Sequence, residues 1–230
     1  MFFPITDRNP LKIISFQYVT ATIIAINVII YVVMEFAYSE RAELAANYAY
    51  GVIPAVLFDE RNLPEHLARI PSSLSLITYQ FFHGDWLHLL GNMMFLWVFG
   101  DNVEDSLGHW RFLVFYLLSG AAAGAVFALT ETSSTVPLIG ASGAMAGILG
   151  AYLILHPKKQ VWVLLFMRIP VPLPAVWAIL GWIGFQFVSL FSDSGEGPVS
   201  VAWWAHIGGF FAGIVLLFVL APKTLRKFTE

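Results

Sequence analysis

Apolar residues run in long blocks along this chain, and polar residues gather mostly between the blocks. A bilayer core needs roughly 20 apolar residues per crossing helix. Six stretches approach that length: Phe16–Phe36, Trp86–Gly100, Arg111–Leu129, Ala141–His156, Leu173–Phe191 and Val201–Leu220. The second and fourth are short, so each either thins the bilayer or ends beneath its surface. The predicted fold is an all-α membrane protein, a bundle of six transmembrane helices. Its first loop, Ala37 to Thr78, is long but not polar throughout. The runs "YGVIPAVLF" and "LARIPSSLSLITYQFF" are too apolar for water and too broken by proline to span. This loop is expected to lie partly embedded in the outer leaflet, where protein must cover its backbone. The helical bundle should occupy residues 16–221, between an N-terminal segment 1–15 and a C-terminal tail 222–230.

Composition agrees with a membrane protein. Hydrophobic residues make up 58% of the 230 positions and charged residues 12%, against about 25% charged in soluble domains. Mean hydropathy is +0.74. The net charge of −3 and the lack of a basic patch point away from nucleic acid, and Cys 0 removes thiol chemistry and disulfides. No secretory cleavage pattern closes the first apolar block, which reads as a retained anchor. With six spans both termini share one side. That side holds Arg8, Lys12, Arg111, Lys158, Lys159, Arg168, Lys223, Arg226 and Lys227; the other holds only Arg41, Arg61 and Arg69. The positive-inside rule then puts both termini in the cytoplasm of a cell membrane, a bacterial inner membrane being the expected one.

On this topology the unusual polar residues converge. Ser142 opens the fourth span within "PLIGASGAMAG", and His206 lies near the start of the sixth, in "AHIGGFFAG". His88 and Asn92, spaced i and i+4 on one helix face, open the second. All three spans enter from the outside, so the four residues share one side and a shallow depth. Each has a plain alternative. Ser142 with Gly143 and Gly147, and Gly209 with Gly213, also fit small-residue helix packing, and Asn92 fits interhelical bonding. His83 and His109 read as structural. A histidine in a span is usually paired or functional, because an unsatisfied ring is costly in lipid.

Exclusion narrows the chemistry. The H-E-x-x-H motif is absent, and His83, Asp85 and His88 lack a further strong ligand, so no metal is expected. Asp101 sits at a helix end with no carboxylate partner in a span, against an aspartyl mechanism. Nearly uncharged spans argue against a transporter or channel. Serine, histidine and hydrogen-bond donors remain, the minimum for acyl transfer. The N–H of a serine at a helix N-terminus is unpaired, and the helix dipole there favours an oxyanion.

These motifs resemble the rhomboid family of intramembrane serine proteases over nearly the whole chain. "GASGAMAG" is similar to its nucleophile motif, "AHIGGFFAG" to its base motif, and "HGDWLHLLGNMMFLW" to its oxyanion region. "NVEDSLGHWRFLVFYLLSG" is similar to the family's turn into the third helix. The resemblance implies Ser142 as nucleophile and His206 as base, with Asn92, His88 and the Ser142 N–H binding the oxyanion. It implies no cofactor, single-span membrane proteins as substrates, and a structural role for Glu104. One position departs from the pattern. Members often carry an aromatic four residues after the serine to stack on the histidine; here it is Ala146. Trp203 and Trp204 are the alternatives for holding the ring. A catalytically inactive rhomboid-like adaptor is the rival reading.

Overall fold

A computed structural model describes residues 2–165, 168–192 and 203–221. The C-terminal tail 222–230, with Lys223, Arg226 and Lys227, and the expected start of the sixth span at Val201 lie outside the described residues. In chain order the elements are strand β1 (Phe2–Asp7) and helices α1 (Tyr18–Ala37), α2 (Glu40–Tyr50), α3 (Pro54–Leu57), α4 (Ser75–Thr78) and α5 (Trp86–Phe95). A π-helical turn, Leu96–Gly100, joins α5 to α6 (Asp101–Leu107). Then follow α7 (His109–Thr130), α8 (Ser142–Leu155), β2 (Gln160–Leu165), β3 (Ile169–Pro174), α9 (Ala175–Ser192) and α10 (Trp203–Leu220).

Helix α8 is the axis of the fold. Every residue from Gly143 to Tyr152 is buried, and small side chains let its neighbours approach to backbone contact. A Cβ on Gly209 of α10 would collide with the Gly143 carbonyl, and one on Gly213 with the backbone of Gly147. A Cβ on Gly147 itself would lie 2.6 Å from Ser119 of α7 and 3.2 Å from the Gly209 carbonyl of α10. Bulky side chains share this core, among them Phe99, Phe112, Phe115, Tyr116, Ile148 and Ile179.

Four helices, α1, α7, α9 and α10, are long and apolar enough to cross a membrane, and α8 is a shorter apolar helix. The second expected span, Trp86–Gly100, falls on α5 and the π-helical turn, and α6 follows beyond it. The molecule is mostly helical and not purely so. An antiparallel sheet of order β1-β2-β3 forms from segments expected as terminus, loop and the first residues of the fifth span. Its prolines, Pro4, Pro170, Pro172 and Pro174, lie in the outer strands. The central strand, "QVWVLL", has none and can pair on both sides. The long first loop contains α2, α3 and α4, and the protein buries Val52, Ile53 and Ala55 of its "YGVIPA" run. Val52 bridges to Leu138 just before α8.

At the end of α8 far from Ser142, carboxylates anchor the chain. Glu104 accepts from the N–H of Val19 (3.0 Å) and Thr20 (2.7 Å), satisfying the first free donors of α1. It also meets His109 Nδ1 at 2.5 Å. Asp105 accepts from the N–H of Lys12, Ile13 and Ile14 at 2.7–3.0 Å. The structural readings of Glu104 and His109 thus become one anchor for the start of α1. The Tyr152 hydroxyl donates to Asp7 at 2.5 Å, tying β1 to α8.

Candidate active site

Ser142 is the first residue of α8. The turn before it needs Gly140, whose φ of +117° L side chains rarely adopt. Space demands glycine there too: a Cβ would lie 2.6 Å from His88 Nε2 and 3.6 Å from Asn92 Nδ2. Helix α5 therefore delivers His88 and Asn92 against the backbone two residues before Ser142. Asp85 fixes the start of that helix by accepting from the His88 N–H at 2.7 Å.

Two further bonds hold the turn. Gly140 N–H donates to the Tyr79 carbonyl at 3.0 Å, and Ala141 N–H points at His83 Nε2 at 3.5 Å. Burial, with the nearby His88 ring second, pushes the His83 imidazole well below its ordinary range, to about 3. The ring is neutral and can accept that N–H. The structural reading of His83 so gains a specific contact: it lies against the backbone that leads into Ser142.

His206 comes from the first turns of α10, and its Nε2 lies 2.9 Å from Ser142 Oγ. A hydroxyl and an imidazole nitrogen at that distance can pass a proton, activating the oxygen as a nucleophile. Asn92 is 5% exposed, and its Nδ2 has no acceptor among the described residues. A buried donor without a partner is costly, so it marks a place where an oxygen can be received. The N–H groups opening α8 add donors at the same end.

The other face of the His206 ring holds a residue that sequence reasoning missed. Gln186 of α9, buried at 3% exposure, places Oε1 2.7 Å from His206 Nδ1. The signal was present in the sequence: Gln186 is a lone amide inside an apolar span, a position that usually has a partner. Aromatic rings stand nearby, Trp182 at 5.7 Å between centroids and Trp203 at 6.4 Å. Trp203, one of the two expected ring partners, does approach; Trp182 of α9 was not anticipated. Ala146 is fully buried in α8.

A family model described as "Rhomboid domain" matches residues 71–223. "Rhomboid protein 1, mitochondrial" of Saccharomyces cerevisiae is 32% identical over 151 residues, 64% of this chain and 41% of the relative. "RHOMBOID-like protein 5" of Arabidopsis thaliana is 31% identical over 145 residues, 63% of this chain and 43% of the relative. The rhomboid YdcA of Bacillus subtilis is 29% identical over 153 residues, 66% of this chain and 70% of the relative. The chain thus matches only about two fifths of the length of the first two.

Proposed function

The chain belongs to the rhomboid family, multi-pass membrane proteins that are in general intramembrane serine proteases but include inactive pseudoproteases, and from that premise we propose that it is an active serine endopeptidase working by a Ser142–His206 dyad. The observation that carries the proposal is the 2.9 Å contact between His206 Nε2 and Ser142 Oγ. An inactive adaptor has no need of a nucleophile and a base in register.

In this reading His206 takes the hydroxyl proton as Ser142 Oγ attacks the peptide carbonyl. The oxyanion that forms is received by Asn92 Nδ2, the Ser142 N–H and His88. His206 then gives its proton to the leaving amine, and the acyl-enzyme forms. Water, activated by the same ring, releases the acid. No cofactor or metal takes part.

The substrates proposed are single-span membrane proteins. Every carbonyl in a substrate helix is tied to an N–H four residues on, so the bond to be cut must first unwind. That favours weak helix formers such as Gly and Pro near the cut. The charge bias of the loops supports an orientation with Ser142 toward the outside of a cell membrane and both termini cytoplasmic, and in that orientation cleavage falls near the outer boundary.

The test is labelling of purified protein with a fluorophosphonate, followed by cleavage of a substrate panel mapped by mass spectrometry. Labelling is expected in the native protein and absent in Ser142→Ala. Cuts are expected in the outer half of the substrate span and should slow when Gly and Pro there become Leu. A native protein that neither labels nor cleaves overturns the proposal, and cuts in the cytoplasmic half overturn its orientation.

A further inference from the structure

We propose that Gln186 is the positioning residue of the dyad: by accepting the Nδ1–H of His206 it selects the tautomer that presents a lone pair on Nε2 to Ser142. The proposal rests on the dyad reading above and supplies what that reading lacks, the group that sets the ring.

Chemistry fixes which end of the amide faces the histidine. Gln186 Nε2 donates to the carbonyl of Trp182, one turn earlier in α9, at 3.3 Å. Oε1 is then the atom left toward His206, and it lies 2.7 Å from Nδ1. A carbonyl oxygen only accepts, so Nδ1 carries the hydrogen, and in a neutral imidazole Nε2 must then be the acceptor. That nitrogen is the one 2.9 Å from Ser142 Oγ. In the opposite tautomer two lone pairs would face each other at Gln186, and the serine hydroxyl would meet an N–H. Such a ring cannot take the proton.

The surroundings fit this role. Gln186 is 3% exposed, so water does not compete for Nδ1 through it. Its helix also supplies the Trp182 ring, tilted 43° against His206. Position 146 of α8 carries only a methyl group, so α9 does the work of holding the ring. A neutral amide suits a site within a span, where a carboxylate would be costly. It orients and selects a tautomer without adding charge.

The experiment has two parts. Nitrogen NMR of ¹⁵N-histidine-labelled protein, with His206→Ala used to assign the signal, reads the tautomer directly in the native protein. Nδ1 should be protonated and Nε2 bare. The opposite pattern overturns the proposal whatever the activity. In the second part Gln186→Met removes the acceptor at similar volume, and Gln186→Glu keeps an oxygen at the same reach. Met should lower kcat and the fluorophosphonate labelling rate together, by about tenfold to a hundredfold, with KM little changed. Glu should recover part of that loss. If Met keeps the native kcat, or changes KM alone, Gln186 is only packing and the proposal fails. A native protein whose Ser142 does not label refutes the dyad itself, a separate result.

Discussion

Truncating Asn92 to alanine should separate stability from catalysis. In the resting protein Asn92 is 5% exposed and its Nδ2 has no acceptor among the described residues. An unsatisfied buried donor costs about 1–3 kcal/mol. Alanine removes that cost but forfeits the packing of a short side chain, so the two changes offset to within about 1 kcal/mol. The transition state differs. There the same N–H meets a developing negative charge, and losing one such donor raises the barrier by about 2.7–4 kcal/mol, or 10²–10³ in kcat. His88 and the N–H groups opening α8 stand beside it and bring the expectation to the lower end, about 10². The assay is steady-state cleavage of a single-span substrate in proteoliposomes, with thermal unfolding followed in parallel. The predicted result is a kcat about a hundredfold down, KM nearly unchanged and a melting temperature within a few degrees of native. An unchanged kcat with a raised KM would refute the oxyanion role, since Asn92 would then bind substrate in its ground state. A large loss of stability with the native kcat per folded molecule would refute the claim that its amide lacks a partner.

Three other perturbations test separate parts of the structure. Ser142→Ala and His206→Ala should each abolish cleavage, and the double variant should be no worse than either, because members of one catalytic unit are not additive; residual cleavage that drops further in the double variant would show independent roles. Gly213→Ala sets a Cβ against the backbone of Gly147 and should destabilise by about 1–3 kcal/mol despite alanine's better helix propensity. Gly184→Ala, whose Cβ meets nothing within 4 Å, should be neutral or stabilising, and equal effects from the two would remove the close-contact argument. Burial, with the Asp7 charge second, holds the Asp101 carboxyl at about 7 against an ordinary 3.8. The fold therefore binds this proton more tightly than the unfolded chain does, and stability should fall as pH rises from about 4 to about 7. Asp101→Asn should flatten most of that slope, leaving the share of Asp7, which burial also pushes up; an unaltered slope in thermal melts would contradict it.

The sequence carried much of this because lipid makes polar residues conspicuous. Ser142 and His206 stood out against glycine, alanine and large aliphatics, and counting spans was enough to bring them to the end that also holds His88 and Asn92. The structure does set His206 within hydrogen-bond distance of Ser142 and packs His88 and Asn92 against Gly140. Gln186 is hidden in the sequence because it brings no charge to the fifth span, and a neutral amide only declares itself when its partner, His206, is seen. The sheet was hidden for another reason. "FFPITD" carries one proline and "IPVPLP" three, which argues against a strand by itself. Each is tolerable only as the outer neighbour of "QVWVLL", a relation of tertiary pairing that no local pattern displays.

That sheet also sets a clock. β1 leaves the ribosome about 150 residues before its partner strand, Asp7 pairing with Val161 and Phe2 with Leu165. At roughly 5–20 residues per second, β1 waits on the order of 10 s or more while the helices from α1 to α8 are made. Its ladder, and the bond from Tyr152 to Asp7 that goes with it, can close only after α8 is complete. In the order of synthesis, the earliest strand of the three is one of the last pieces to find its place.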